Sequence, residues 1–469
     1  MRSTTLFLLA AIAVPVPAAA QASLEPHRPA AERLIAAALR DSAAYNRLAR
    51  LVDTFGNRPS GSQSLERAID WIVVEMKKDG FDNVHTEPVM VTHWVRGAES
   101  AVMESPRRVP LHMLGLGRSI GTKPGGIAAR VLVVRDFAEL RAKAAQARGR
   151  IVVFNFPFSQ TAHPFVAYGE AVQYRASGAD SAAQFGAVAV LVRSATPHSL
   201  QTPHTGGVWS TDSIRKGPQI PAAAITPEDA EMLHRLQRRG ETPVVRVTMG
   251  ARTLPPAKSR NVIAEIRGSE RPDEVIVLGG HIDSWDVGQG AMDDAGGCVA
   301  AWEALRLIKQ SGIRPKRTIR VVLWTAEEVG LDGAFAYRDA HRAELDKHII
   351  AMESDNGVFK PFGILFAGSK EGLEAMRGVS RLLARAGADS IEVGGPEADV
   401  WPLNQLGVPT VAINTDPSRY FWYHHTTADT IDKLDPRDMA LCVAVMAVVA
   451  NTVANMSGTI PRAPVEVRR

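Results

Sequence analysis

At 469 residues the chain is too long for one ordinary domain and suits two or three. Its 45% hydrophobic and 22% charged content describe an ordinary globular protein. A formal net charge of +4, with no block of lysine or arginine, argues against a nucleic-acid partner.

The chain opens on a targeting pattern. Arg2 supplies a positive start, residues 6–14 form a short apolar run, and Pro15 and Pro17 break it. Ala18-Ala19-Ala20 or Ala20-Gln21-Ala22 offers a small-x-small cleavage site, so residues 1–22 read as a signal peptide. That run is too short to span a bilayer, and no later stretch is expected to reach membrane length. The mature chain is therefore expected to be secreted or periplasmic, with no membrane attachment after signal removal.

Residues 29–80 carry a helical pattern, broken near Asn57 and Arg58 and resumed from 64 to 76. Arg58-Pro59-Ser60-Gly61 reads as a turn at that break. Residues 121–254 follow a different grammar. Short β-rich runs at 130–134, 151–156, 187–192, 222–225 and 244–248 alternate with helical pieces between glycine and proline turns. His204, Gly206 and Gly207 stand on one loop of this region and are placed to cover a cleft.

After Pro255 and Pro256 an alternating strand and helix pattern returns and holds to the end. The longest helices are expected at 373–386 and 436–456, the second apolar almost all round from 439 to 450. This order gives an α/β fold, a three-layer α/β/α sandwich around a mixed, mostly parallel sheet. Residues 23–120 and 255–469 would build it, with 121–254 as an insert. Cys298 and Cys442 both fall at core-like helical positions and are expected as free thiols.

Chemistry concentrates in the last segment. An apolar strand at 275–278 leads into Gly279-Gly280-His281-Ile282-Asp283. Asp293 and Asp294 follow on a glycine-punctuated loop, just ahead of a helix expected at 298–308. A strand at 320–325 runs into Glu327-Glu328, and one at 349–352 into Glu353-Ser354-Asp355. Tyr423-His424-His425-Thr426-Thr427-Ala428-Asp429-Thr430 completes the set. Open α/β sheets place their chemistry at strand carboxyl ends, and imidazoles with carboxylates there suit a divalent metal. Taken alone, Glu327-Glu328 reads as a solvated helix start and His281 as a structural histidine. Four strand ends with the needed residue type reverse that weighting. Together they supply about what two metal ions and a base require.

The ordered set His-x-Asp, Asp-Asp, Glu-Glu, x-x-Asp and His-Thr-Thr-x-Asp-Thr resembles the M28 zinc peptidases, along nearly the whole mature chain. The resemblance implies two Zn2+ per chain. Asp293 would bridge them, His281 and Asp355 would complete one site, and Glu328 and His425 the other. Glu327 is implied as the general base, taking a proton from the activated water and delivering it to the leaving amine. Asp283 is placed to orient the His281 ring, and Asp429 that of His425. His424 falls off the motif spacing and is expected in the pocket wall.

Further expectations come from the same resemblance. They are a cis Asp293–Asp294 peptide, a protease-associated-like mixed β domain for the insert, contact of the Arg58 segment with the active-site rim, and a homodimer. The wording of the loops is similar to a branch that hydrolyses small unblocked peptides, especially dipeptides. The wider family instead trims N-terminal residues from longer ones. Tyr420 and Tyr423 are candidate oxyanion donors, and Glu353 is a candidate partner for a substrate ammonium. The alternatives are a single-zinc glutaminyl cyclase-like enzyme, a non-catalytic receptor-like relative and a mononuclear amidase. The complete set of ligands and base weighs against the first two.

Overall fold

The apolar runs of the last segment pair side by side and in parallel. Arg271–His281 lies between Arg317–Trp324 and His348–Glu353 at the centre of an eight-stranded mixed sheet. The computed structural model describes residues 24–209 and 219–463, so the expected signal peptide lies outside the described residues. The sheet order is Asp82–Val95, Arg252–Ile266, Arg317–Trp324, Arg271–His281, His348–Glu353, Thr410–Thr415, Pro361–Ala367, Ser390–Val393.

Successive strand residues point to opposite faces, and here each face finds its own core. Ile276 and Leu278 join the helices Gly296–Gln310 and Pro436–Asn455 on one side. Val275 and Val277 join Ala334, Tyr337 and Leu403 on the other. With both faces covered, the fold is the expected α/β/α sandwich. The N-terminal helical segment is three helices, Arg28–Ala38, Ala43–Phe55 and Gln63–Lys78. Ser62 caps the third, its hydroxyl accepting from the Leu65 N–H at 3.2 Å.

Pro255 and Pro256, read as a boundary, instead lie inside the strand Arg252–Ile266. They fall where its pairing to Asp82–Val95 slips, between Val91 with Ala257 and His93 with Leu254. A register slip frees a residue from the ladder, so the missing proline N–H does no harm there.

A second eight-stranded sheet draws on residues 99–249. Its parallel centre runs Ile127–Val134, Ile151–Phe154, Ala189–Arg193, Ala222–Ile225, with Val244–Met249 antiparallel beside the first. Glu99–Ser105, Val109–Leu111 and Met113–Gly115 also join it, ahead of the start expected at residue 121. Each is short and flanked by proline or charge, so pairing rather than pattern makes them strands.

The helix Pro436–Asn455 corrects one expectation. Its 20 residues, with a mean hydropathy of 1.6, reach membrane length. Yet 89% of that apolar window is buried inside the protein, against the sheet and the helix Gly296–Gln310. Cys298 and Cys442 are both buried and free, as expected.

Beneath the sheet, the His348 Nδ1–H donates to the Glu344 carbonyl at 3.0 Å, so its Nε2 accepts from the Tyr337 hydroxyl at 3.0 Å. Burial pushes its pKa from 6.5 down to about 4. The unfolded chain therefore takes up a proton that the folded chain refuses across this window. Stability is full above pH 6.5 and falls as pH drops towards 4. His348→Gln is expected to remove about 2–3 kcal/mol of that fall, in denaturant midpoints compared at pH 7 and 4.5.

Candidate metal centre

Parallel register brings the strand ends together. His281 lies level with Trp324 and Gly279 with Glu353, so the loops that follow all three strands leave from one edge. Ala326, at φ 61°, turns the chain so that Glu327 and Glu328 face back over that edge. His425 arrives from the far end of the chain, itself at φ 60°. Such left-handed conformations in non-glycine residues persist only where the surroundings enforce them, and they cluster at functional sites. Gly280 is needed for close approach, because a Cβ there would lie 2.4 Å from Asp294 Oδ2. The Asp293–Asp294 peptide is cis.

All five expected ligands converge. His281 Nε2 is 3.2 Å from Asp293 Oδ1 and 3.6 Å from Asp355 Oδ1. His425 Nε2 is 3.2 Å from both Asp293 Oδ2 and Glu328 Oε2. Asp293 thus offers one oxygen to each imidazole. His424 stacks on His425, with ring centroids 3.5 Å apart and planes 22° apart, and its Nε2 lies 3.7 Å from Asp293 Oδ2.

With the rings neutral, these contacts set acceptor against acceptor. The Nδ1–H of His281 donates to the Asp283 carbonyl at 3.0 Å, which leaves Nε2 as a lone pair facing carboxylate oxygens. His281 Nε2, Asp293 Oδ2, Glu328 Oε1 and Asp355 Oδ1 are buried with no hydrogen-bond partner. A divalent cation relieves such a set, and the donor types fit one. Without it, the carboxylates draw protons onto the His281 and His425 rings. Burial opposes charge on His425, yet Glu328 and Asp293 push its pKa up to about 9. Burial first, then neighbouring Asp293, lifts Glu328 to about 7. The Glu327 carboxyl is driven well above the usual range, chiefly by burial.

The supporting groups differ from expectation in four places. The Asp283 carboxylate does not hold His281, whose Nδ1 is 3.6 Å from it; it accepts from the Glu327 N–H at 3.0 Å and the Glu328 N–H at 3.3 Å. Asp429 does not hold His425. Its oxygens accept from the N–H groups of Ala291, Met292 and Asp293 at 2.7–3.2 Å. Glu353 is fully buried and accepts from Asp399 N–H at 2.9 Å and Val400 N–H at 3.1 Å, away from substrate. Tyr420 commits its hydroxyl proton to the Asp355 carbonyl at 3.0 Å.

Two segments expected near the site, at Arg58 and around His204, hold it in place through contacts that the sequence did not specify. Arg58 is completely buried and donates to the carbonyls of Gly56, Ile282, Gln289 and Gly290, all within 2.9 Å. Thr205, on the loop of His204 and Gly206, accepts from His425 Nδ1 at 3.3 Å, and its N–H donates to the His425 carbonyl at 3.0 Å. The second sheet therefore grips the last histidine. Beside it opens a cavity of about 130 Å³, lined by Asp293, Glu327, Glu328, Asp355, His425 and Arg175 among others. Buried arginine in a turn and a glycine-flanked loop carry no signal strong enough to find these from composition.

A model of peptidase family M28 matches residues 261–450, which contain every one of the gathered side chains. Carboxypeptidase Q of Xenopus laevis is 48% identical over 418 residues, covering 89% of this chain and 87% of that protein. The crystal structure of a peptidase M28 precursor from Shewanella amazonensis SB2B matches with a TM-score of 0.90 at 34% identity, over 94% of this chain and 100% of that one. A zinc aminopeptidase from Bacillus subtilis shares the fold, with a TM-score of 0.64 at 18% identity over 88% of this chain and 95% of its own. Identity sustained over nearly the full length of such relatives, together with a cation-fitted cluster at the sheet's edge, means that the chain belongs to peptidase family M28 and is a metallopeptidase.

Proposed function

We propose that the protein is an exported dizinc exopeptidase that hydrolyses small unblocked peptides, dipeptides foremost. The observation that carries the reading is Asp293, whose two oxygens each face a different imidazole lone pair. His281 and Asp355 would hold one ion, Glu328 and His425 the other, and Asp293 both. His424 is left in the wall. Its ring stacks on His425 and its Nε2 lies 3.7 Å from Asp293 Oδ2, within ligand distance of the same ion, but it falls off the motif spacing that His425 meets.

Metal held by these residues would supply a polarised carbonyl and a water of lowered pKa. Glu327, without a place in the ligand set, is the base that takes the water proton and returns it to the leaving amine. Burial raises its pKa, and a more basic carboxylate is a better acceptor for the water proton. Asp283 accepts from the adjacent N–H groups of Glu327 and Glu328, so one carboxylate positions both base and ligand. The dipeptide reading draws on the relatives named carboxypeptidase Q and on the small volume of the cavity. Export draws on the signal pattern of residues 1–22.

Zinc content of the purified chain should be two per molecule, and chelation should abolish hydrolysis. Free dipeptides should be cleaved, and N-terminally blocked dipeptides should not. Efficient trimming of tripeptides and longer chains would move the assignment to an aminopeptidase, and one zinc without peptide cleavage would overturn it.

A further inference from the structure

We infer that Arg175 binds the free C-terminal carboxylate of the substrate, so the second sheet's own helix sets where the peptide must end. The inference rests on the peptidase reading above and adds the residue that enforces it. Arg175 lies on the helix Pro164–Ala183, which packs on the second sheet and carries none of the five ligands or the base. That helix brings the guanidinium to the wall of the cavity shared with Asp293, Glu327, Glu328 and Asp355.

Charge makes the placement unusual. Among the described residues lining that cavity, Arg175 alone carries a fixed positive charge. Four carboxylates share the space, yet Arg175 makes no ion pair with any described residue; its Nη1 donates to the Thr205 carbonyl at 3.3 Å and lies 3.4 Å from His425 Nδ1, and the guanidinium also meets the Tyr168 hydroxyl. Its guanidinium also lies 5.6 Å from the Tyr168 ring centroid. Its Nε is buried without a hydrogen-bond partner. A guanidinium presents five donors in a rigid fork, and a buried donor left unmet is unfavourable. A carboxylate satisfies two of them at once.

Position supports the same occupant. Arg175 Nη1 lies 3.4 Å from His425 Nδ1, while His425 Nε2 faces Asp293 and Glu328 on the other side of the ring. The fork is thus one imidazole away from the hydrolytic face. One residue advances a chain by about 3.8 Å, so a carboxylate one residue past the scissile bond falls at the fork and a longer tail does not. The surroundings clear room for the fork. Gly206 sits at φ 135°, and a Cβ there would lie 2.3 Å from Arg175 Nη1. The Trp209 N–H ties the same loop to the helix through the Ala176 carbonyl at 3.0 Å.

The test compares Ala-Leu with its C-terminal amide in the full-length wild-type, Arg175→Met and Arg175→Lys proteins, all zinc-loaded. The wild type should favour the free acid by roughly 10- to 100-fold in kcat/KM, the range of a charge-assisted contact. Arg175→Met should erase that preference through KM, so that acid and amide converge in kcat/KM. Arg175→Lys should recover part of it, as a point charge without the fork. Calorimetry with free leucine as probe should detect binding to the wild type and none to Arg175→Met. Equal losses on acid and amide would overturn the inference and leave Arg175 a prop for Thr205 and His425. An acid preference that survives Arg175→Met would overturn it as well, as would a wild type indifferent to the amide. A wild type that cleaves no dipeptide at all would bring down the peptidase reading along with it, which separates the two failures.

Discussion

Glu327→Gln is expected to lower kcat by about 10²- to 10⁴-fold while leaving zinc content unchanged. The amide keeps the size and shape of the carboxylate but cannot accept the water proton. Its backbone N–H still donates to Asp283, so the loop geometry should survive. The neighbouring Glu328 cannot substitute, because its Oε2 is turned to His425 at 3.2 Å. Metal analysis beside single-turnover kinetics separates the cases. A zinc-replete variant with undiminished turnover would remove Glu327 from proton transfer, and a zinc-depleted one would make it a ligand.

Arg58→Met should have the largest effect on folding. The side chain is completely buried, and its donors satisfy four main-chain carbonyls, three on the loop from His281 to Asp293 and the fourth at nearby Gly56. Each carbonyl left unmet costs about 1–3 kcal/mol, so a total loss of about 4 kcal/mol or more is expected. Ile282 adjoins one ligand and Gly290 precedes the Asp293 turn, so zinc affinity should fall together with stability. Denaturant midpoints with and without zinc, plus competition with a chelator, measure both. Arg58→Lys should rescue little, since one ammonium cannot span four carbonyls. Unchanged zinc affinity in a folded Arg58→Met protein would make the arginine a purely structural prop.

Residue order alone places the chemical groups at the ends of the central strands and on the loops that follow them. His281, Asp293, Glu327, Glu328, Asp355 and His425 sit beside apolar runs whose parallel pairing has one favourable outcome. A buried strand must align its hydrophobic face, and that alignment carries the polar residue at its end to a shared edge. The helix Pro436–Asn455 and the short strands near Glu99 mark where local pattern stopped being sufficient. A core helix and a membrane span share a composition, and a strand of three residues has no periodicity to read.

Only the tertiary structure decided how the site is held. Asp283 and Asp429 are both near histidines in sequence, yet each turns its oxygens to main-chain N–H groups of another loop. Arg58 gathers carbonyls more than two hundred residues away, and Thr205 reaches His425 across two sheets. Main-chain donors and acceptors carry no residue identity. Their direction is set by backbone geometry and by long-range packing, so no residue pattern announces where they point.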